Sequence, residues 1–553
     1  MLLLLAFALP CIVALVLRAR TPRGGSGPLD ARYAPVVVGL AWAALEWFTW
    51  GSLHPMPLDH DELSYLLQAE IFAHGRWAVE APPLPDFFGQ AHVLVTPVLA
   101  SKYPPGHSLL LTLGALVGMP AVVVFLLNAA RVGFVFTLAR RASDAATALL
   151  TCTLLLTGAI VVRFSASYYS ETTSGALLLV AWYCLWRWHE GSRRPWLLGV
   201  ALALGWCAIT RPWSALAFAL PIGVVVLREV RRTRRWRDLA LAMAIGTCIV
   251  AILPLWSWRT LGDWRRAPLA EYARDYMPFD YPHFGTVSAA PRLTPPPDVA
   301  ATNASLLAIE RRHTLSNVGP DAVARAEALW RGAWPEPPVL FAGLTLIGLV
   351  VLPAAAWLGV ATLVMLFVMY LAHPTWPQLN VYYFDVVPVL TFAGALGFTT
   401  VLRALAGQQS SRVPRVPAPH AVRAALVACA LLLPTVFTTG GLMRRWLHLS
   451  AWERTRFERR VAELPGGLAI VFVRHGPRHS PSRSLVVNRA DWQTAFAWIV
   501  YDRGAENERL RALARGRRAY LYDERQDRFV EMGAVAKVAL RANSASAQRG
   551  PTP

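Results

Sequence analysis

Long apolar runs separated by short polar connectors occupy most of this chain. A helix crosses the hydrocarbon core of a bilayer in about 20 residues. Runs near that size fall around residues 1–18, 33–50, 119–139, 145–162, 171–187, 195–209, 213–227, 237–257, 336–353, 355–371, 384–403 and 421–440. The pattern predicts an all-α polytopic membrane domain of about twelve transmembrane helices over residues 1–440. Pro10, the lack of an early charge and the lack of a small-residue cleavage site favour a retained first helix over a cleaved signal. Residues 107–119 are apolar but short for a crossing, and are expected to form an interfacial or re-entrant helix.

After residue 440 the pattern changes. Short β-like runs at 468–473, 484–487 and 518–522 alternate with helical stretches at 491–501 and 506–514, which predicts a small α/β domain over 441–540. Residues 541–553 are polar with two late prolines and are expected to be a disordered tail. No internal repeat is visible, and Pro295, Pro296 and Pro297 mark a loop.

Composition sharpens the membrane reading. Of the 553 residues 55% are apolar and 16% charged, whereas soluble proteins carry roughly 25% charged residues. A net charge of +20 could suggest nucleic acid, but the arginines cluster in short connectors. Residues 228–237 hold six of them: Arg228, Arg231, Arg232, Arg234, Arg235 and Arg237. No nucleic-acid partner is expected, and such clusters mark the cytoplasmic side. Arginine-rich connectors near 18–32, 140–144, 187–195, 228–238 and 403–423 therefore face inward. Alternation then puts the long loops 51–118 and 258–335, together with the C-terminal domain, on the outside. In a bacterium this is a multi-pass inner-membrane protein with a periplasmic C-terminal domain. The six cysteines (Cys11, Cys152, Cys184, Cys207, Cys248, Cys429) lie in apolar segments without metal or disulfide spacing and read as packing residues.

Several polar residues sit where the chain leaves the expected membrane. Asp59, Asp61 and Glu62 precede a helical pattern containing Tyr65. Such acids suit a helix-capping turn and equally suit a carboxylate that takes a proton from an attacking hydroxyl. Lys102, in Ser101–Lys102–Tyr103–Pro104–Pro105–Gly106, is one of two lysines in the chain, against 52 arginines. It reads either as an interfacial lysine reaching to headgroups or as a phosphate-binding cation beside a proline turn. Glu171 opens one span and Arg211 precedes Pro212 between two others. Each is an interfacial anchor or a functional group at membrane depth. Tyr382, with Tyr383, Phe384 and Asp385, marks a later outward turn, where aromatic belts are common.

Taken in order, Asp61–Glu62 with Tyr65, a long loop ending in Lys102–Tyr103–Pro104–Pro105, an acid opening a later span and a cation before a proline resemble the GT-C superfamily of membrane glycosyltransferases. Within it, the order is most similar to that of the protein O-mannosyltransferases and the lipid A aminoarabinose transferases. The resemblance implies a hexosyl or pentosyl transferase using a polyprenyl-phosphate sugar donor, with a lipid, protein or polysaccharide acceptor and inversion by single displacement. It implies Asp61 and Glu62 as the catalytic acids, Lys102 and Arg211 as donor-phosphate ligands, and Asp59, Tyr65, Tyr103, Glu171 and Tyr382 on the substrate cavity. Relatives more often carry Lys-Gly-Pro where this chain has Thr210–Arg211–Pro212. No cofactor is expected, and no Asp/His set demands a metal. The rival reading is a transporter or flippase for lipid-linked saccharides, or a non-catalytic assembly subunit. A transporter tends to show internal repeats and polar groups near mid-membrane, whereas the acids here gather at one surface.

Overall fold

The structure is a computed structural model describing residues 28–50, 57, 59–191, 193–287, 289–376, 378, 380–405, 419–477, 479–481 and 485–533. The expected first span and the tail at 541–553 lie outside the described residues. Among the described residues, Pro120–Ala142, Pro212–Thr233, Trp236–Leu261, Ala354–Leu371 and Asn380–Leu405 are long and apolar enough to cross a membrane. Shorter apolar helices span Ala34–Phe48, Ala145–Thr157, Arg194–Ala208, Leu340–Val350 and Arg423–Thr439. The chain is a multi-pass membrane protein.

Two expected spans are interrupted, for local reasons. The run at 145–162 divides at Gly158, whose backbone is extended at ψ 135°. A Cβ there would lie 2.6 Å from the Ala333 carbonyl oxygen, so only glycine allows the two backbones to meet. The run at 237–257 breaks at Ala251, between Trp236–Val250 and Ile252–Leu261. Pro254 follows three residues later and has no N–H to donate to the carbonyl of Val250.

The described part of loop 51–118 is folded. It contains helix α1 (His60–Ala73), strands β1 (Val79–Glu80), β2 (Val93–Leu94) and β3 (Val98–Ser101), and helix α2 (Gly106–Ala115). Strand β3 pairs antiparallel with both β1 and β2. Helix α2 is the short helix expected at 107–119. Farther on, α3 (Glu171–Gly191) and α4 (Pro212–Thr233) begin at the end of the bundle where this loop sits. Loop 258–335 carries α5 (Pro297–Glu310).

Helix α6 (Pro419–Ala462) runs for 44 residues, so the helix expected to stop at residue 440 continues into the C-terminal domain. That domain is a four-stranded sheet in the order β5-β4-β6-β7: β4 (Ala469–Arg474), β5 (Ala497–Tyr501), β6 (Arg518–Asp523) and β7 (Arg528–Glu531). Strand β4 is parallel to β5 and β6, and β7 is antiparallel to β6. Residues 497–501, expected to be helical, form β5 instead. Ala-Trp-Ile-Val-Tyr is an aromatic and β-branched run that pairs with β4 over its full length. The expected strand at 484–487 is not a strand where it is described.

Side chains alternate between the two faces of a strand, and β4 uses both. Ile470 and Phe472 pack with Leu67, Ile71, Phe87 and Phe88 of loop 51–118. Ala469, Val471 and Val473 pack with Phe457 and Val461 of α6. The sheet thus shares one core with the first long loop and another with the long helix. A separate core among the membrane helices includes Trp42, Leu155, Phe218 and Phe392.

Candidate active site

Residues from the two long loops, the ends of the membrane helices and the C-terminal domain enclose one cavity of about 1050 Å³. Asp59, Asp61, Tyr65, Lys102, Tyr103, Glu171, Arg211 and Tyr382 all line it. Glu62 does not. Its Oε1 accepts from the Tyr168 N–H at 2.9 Å and its Oε2 accepts from the Asp59 N–H at 3.1 Å. Glu62 is the third residue of α1 and faces back over the first turn, so it caps the helix and ties it to the chain before α3, while Asp61 faces the cavity.

Asp61 keeps 33% of its side chain open, which leaves room for a hydroxyl to reach it. Its Oδ1 accepts a hydrogen bond from the Tyr103 hydroxyl, and its Oδ2 lies 3.7 Å from His92 Nε2. Burial opposes ionisation of Asp61, but His92, the Tyr103 hydroxyl and Lys102 together hold its carboxyl below the ordinary value. Burial, aided by Lys102, lowers His92 to about 3. Asp59, by contrast, is raised by burial, and its Oδ2 accepts from the Tyr169 hydroxyl at 2.7 Å.

His92 holds its place through its backbone. It has φ +64°, a conformation uncommon outside glycine. The His92 N–H donates to the Tyr272 hydroxyl at 2.9 Å, and the His92 carbonyl accepts from Ser64 Oγ at 2.6 Å and from the Lys102 N–H at 3.0 Å. The same contacts fix the start of the Lys102 turn.

Lys102 is only 3% exposed. Its Nζ donates to Asp280 Oδ2 at 2.7 Å and lies 5.1 Å and 5.0 Å from the ring centres of Tyr103 and Tyr272. Burial works against ionised Asp280, yet Lys102 and His373 hold that carboxyl far below its ordinary range. The Pro104–Pro105–Gly106 turn then docks on the end of the helix before α4. The Gly106 N–H donates to the Ile209 carbonyl at 2.8 Å, and a Cβ on Gly106 would stand 2.4 Å from Thr210 Oγ1. The Lys102 turn and Arg211 are thereby locked to one another.

Arg211 Nη1 is 2.7 Å from Glu171 Oε1 and donates to Ser170 Oγ at 3.1 Å, while Nη2 donates to the Tyr370 hydroxyl at 3.0 Å. Tyr65 donates to Ser170 Oγ at 2.9 Å and stacks on Tyr103 with ring centres 4.6 Å apart. The Tyr382 ring lies 5.7 Å from the guanidinium carbon of Arg211. A partly open carboxylate and two positioned cations thus share one chamber, an arrangement suited to taking a proton at one point and stabilising an anion at another.

Contributors to this chamber not expected from sequence include His92, Asp280, Tyr370 and the C-terminal residues Ser480 and Pro481. The last reaches in because the His60 imidazole hydrogen-bonds the Pro481 carbonyl, one residue from Asp61. Nothing in local spacing marks Asp280 or His92. Tyr370 ends an apolar run, where a belt residue is the ordinary expectation.

No protein-family model matches the chain, and no curated protein matches it. Solved structures do. ArnT from Cupriavidus metallidurans, solved bound to undecaprenyl phosphate, is 15% identical over 89% of this chain and 93% of that one, with a TM-score of 0.49. The arabinosyltransferase EmbB from Mycobacterium smegmatis is 14% identical over 80% of this chain and 43% of that one, with a TM-score of 0.40. The Archaeoglobus fulgidus oligosaccharyltransferase in its apo form is 13% identical over 80% of this chain and 62% of that one, with a TM-score of 0.39. These structural neighbours are GT-C superfamily membrane glycosyltransferases, the superfamily that the ordered motifs resemble.

Proposed function

We propose that this protein is a GT-C-type glycosyltransferase that moves a sugar from a polyprenyl-phosphate donor to an acceptor hydroxyl on the extracytoplasmic side. The observation that carries the reading is the shared chamber wall: an ionised, partly open Asp61 with Lys102 and Arg211 on the same cavity. In this reading the polyprenyl tail stays in lipid against the apolar helices, and the phosphate enters the chamber. The acceptor hydroxyl attacks the anomeric carbon while Asp61 takes its proton. The bond to the donor phosphate breaks, and Lys102 and Arg211 stabilise the departing anion. One displacement without a covalent enzyme intermediate inverts the anomeric centre. Glu62 acts through Asp61, by holding the first turn of α1.

The same reading takes the membrane domain to have about twelve spans. The C-terminal α/β unit sits on the periplasmic face of a bacterial inner membrane, and a hexose or pentose passes to a lipid, protein or polysaccharide acceptor. The test is transfer by purified protein from a panel of hexosyl and pentosyl polyprenyl phosphates, parent against Asp61→Asn. Loss of general-base catalysis lowers the rate by about 10²- to 10⁴-fold, with the size-exclusion profile unchanged. An Asp61→Asn protein that transfers at the parental rate overturns the assignment.

A further inference from the structure

A second cluster of ligand-type side chains lies outside the machinery described above, where the C-terminal domain meets loop 258–335. His475 and His479 follow β4, and Asp298 is in the first turn of α5. One ligand atom from each lies within 4.8 Å of the others. His479 Nε2 is 2.8 Å and His475 Nε2 3.8 Å from the same oxygen, Asp298 Oδ1. In a tetrahedral zinc site with bonds near 2.0–2.1 Å, ligand atoms lie about 3.3 Å apart. The two separations to Asp298 bracket that value, and all three ligand atoms lie within 4.8 Å of one another, so an ion would draw the side chains together.

The surroundings orient these atoms as a metal site does. Histidines that bind a metal through one nitrogen usually donate the other N–H to a carboxylate. Here Glu524 stands behind both rings: Oε1 is 2.9 Å from His479 Nδ1 and Oε2 is 3.4 Å from His475 Nδ1. Glu524 is itself held by the Gly476 N–H at 2.7 Å. On the other side the Tyr501 hydroxyl donates to Asp298 Oδ2 at 2.9 Å, leaving Oδ1 to face the imidazoles. The two ring centres are 3.6 Å apart. Neither shielded nitrogen of His475 completes a hydrogen bond among the described residues.

We propose that His475, His479 and Asp298 bind a divalent transition metal ion of the zinc class, with Glu524 orienting both histidines. The ion joins the C-terminal domain to loop 258–335. Residues 480 and 481, directly after His479, form part of the chamber wall, so the ion fixes that wall beside His60 and Asp61. The inference does not depend on the glycosyltransferase reading, because its readout is metal binding.

Full-length, untagged protein in detergent is stripped with EDTA and titrated with ZnCl₂ by calorimetry, with metal content measured separately by mass spectrometry. The expected result is one ion per chain. His475→Gln and Asp298→Asn abolish stoichiometric binding, and Glu524→Gln weakens it by about 10- to 100-fold. His189→Gln, on an exposed cytoplasmic-side histidine, leaves it unchanged. Should the site variants fail to fold, cobalt(II) loading of the parent protein replaces them, with the visible spectrum of a four-coordinate nitrogen and oxygen site expected. Parent protein that binds neither zinc nor cobalt, or folded His475→Gln and Asp298→Asn proteins that retain parental zinc affinity, overturns the proposal.

Discussion

Replacing Lys102 by methionine keeps most of the side chain's length and removes its charge, and the structure predicts two separable losses. The first is chemical. A preorganised donor to a developing anion is worth about 10²- to 10³-fold in rate, and a charge-assisted contact to a bound phosphate about 1.5–3 kcal/mol. The second is structural, because Asp280 Oδ2, now 2.7 Å from Nζ, is left without its cation. Breaking a buried pair by removing one partner costs about 3–5 kcal/mol. Asp280 retains 23% exposure, which favours the low end, near 3 kcal/mol. Adding Asp280→Asn removes the stranded charge. The double variant therefore recovers most of the lost thermal stability in detergent but none of the transfer. The assay pairs melting of the two variants with transfer from a polyprenyl-phosphate sugar at matched protein concentration. If the double variant regains transfer together with stability, Lys102 is a structural residue and its role toward phosphate is refuted. A single variant within about threefold of the parental rate refutes it equally.

Tyr103→Phe removes a hydrogen bond that favours ionised Asp61, so the Asp61 carboxyl rises. A base must be deprotonated to work, and activity is lost as pH falls through its pKa. The acid limb of the rate profile consequently moves to higher pH, by up to about one unit for a bond near 1–1.5 kcal/mol, and an unmoved limb counts against Asp61 as the base. Gly106→Ala drives a methyl group to 2.4 Å from Thr210 Oγ1 and 2.8 Å from the Ile209 carbonyl oxygen. The expected cost is about 1–3 kcal/mol, read as a lower melting temperature with reduced transfer. A parental melt means that the Lys102 turn is not locked against Arg211. Arg211→Lys keeps the charge but cannot span Glu171, Ser170 and Tyr370 together. Transfer should fall by at least about tenfold, and full activity would show that charge alone suffices.

Much of the membrane architecture is legible in the chain because lipid imposes a length and a polarity on each crossing. Residues 213–227 and 195–209 lie within Pro212–Thr233 and almost within Arg194–Ala208. The site's first half is legible for a related reason: Asp61, Lys102, Glu171 and Arg211 stand at the ends of apolar runs, where polar groups are conspicuous. Asp280 and His92 lie in long loops of mixed composition, and only tertiary packing brings them to Lys102 and Asp61. Strand β5 reads as helix in the sequence because Trp492, Ala495, Phe496 and Ile499 fit a helical spacing. Its pairing with β4, about thirty residues away, decides the matter. The His475, His479 and Asp298 cluster is farther still from local pattern, since His479 and Asp298 are 181 residues apart.

Helix α6 gives the molecule a lever arm. At 1.5 Å per residue its 44 residues extend for about 66 Å, roughly twice the hydrocarbon thickness. Its C-terminal end is packed against β4 through Phe457 and Val461. A tilt of its N-terminal half would swing the far end and carry with it the sheet that leads on to Pro481. The helix thus ties the apolar bundle to the sheet whose following loop lines the cavity beside Asp61.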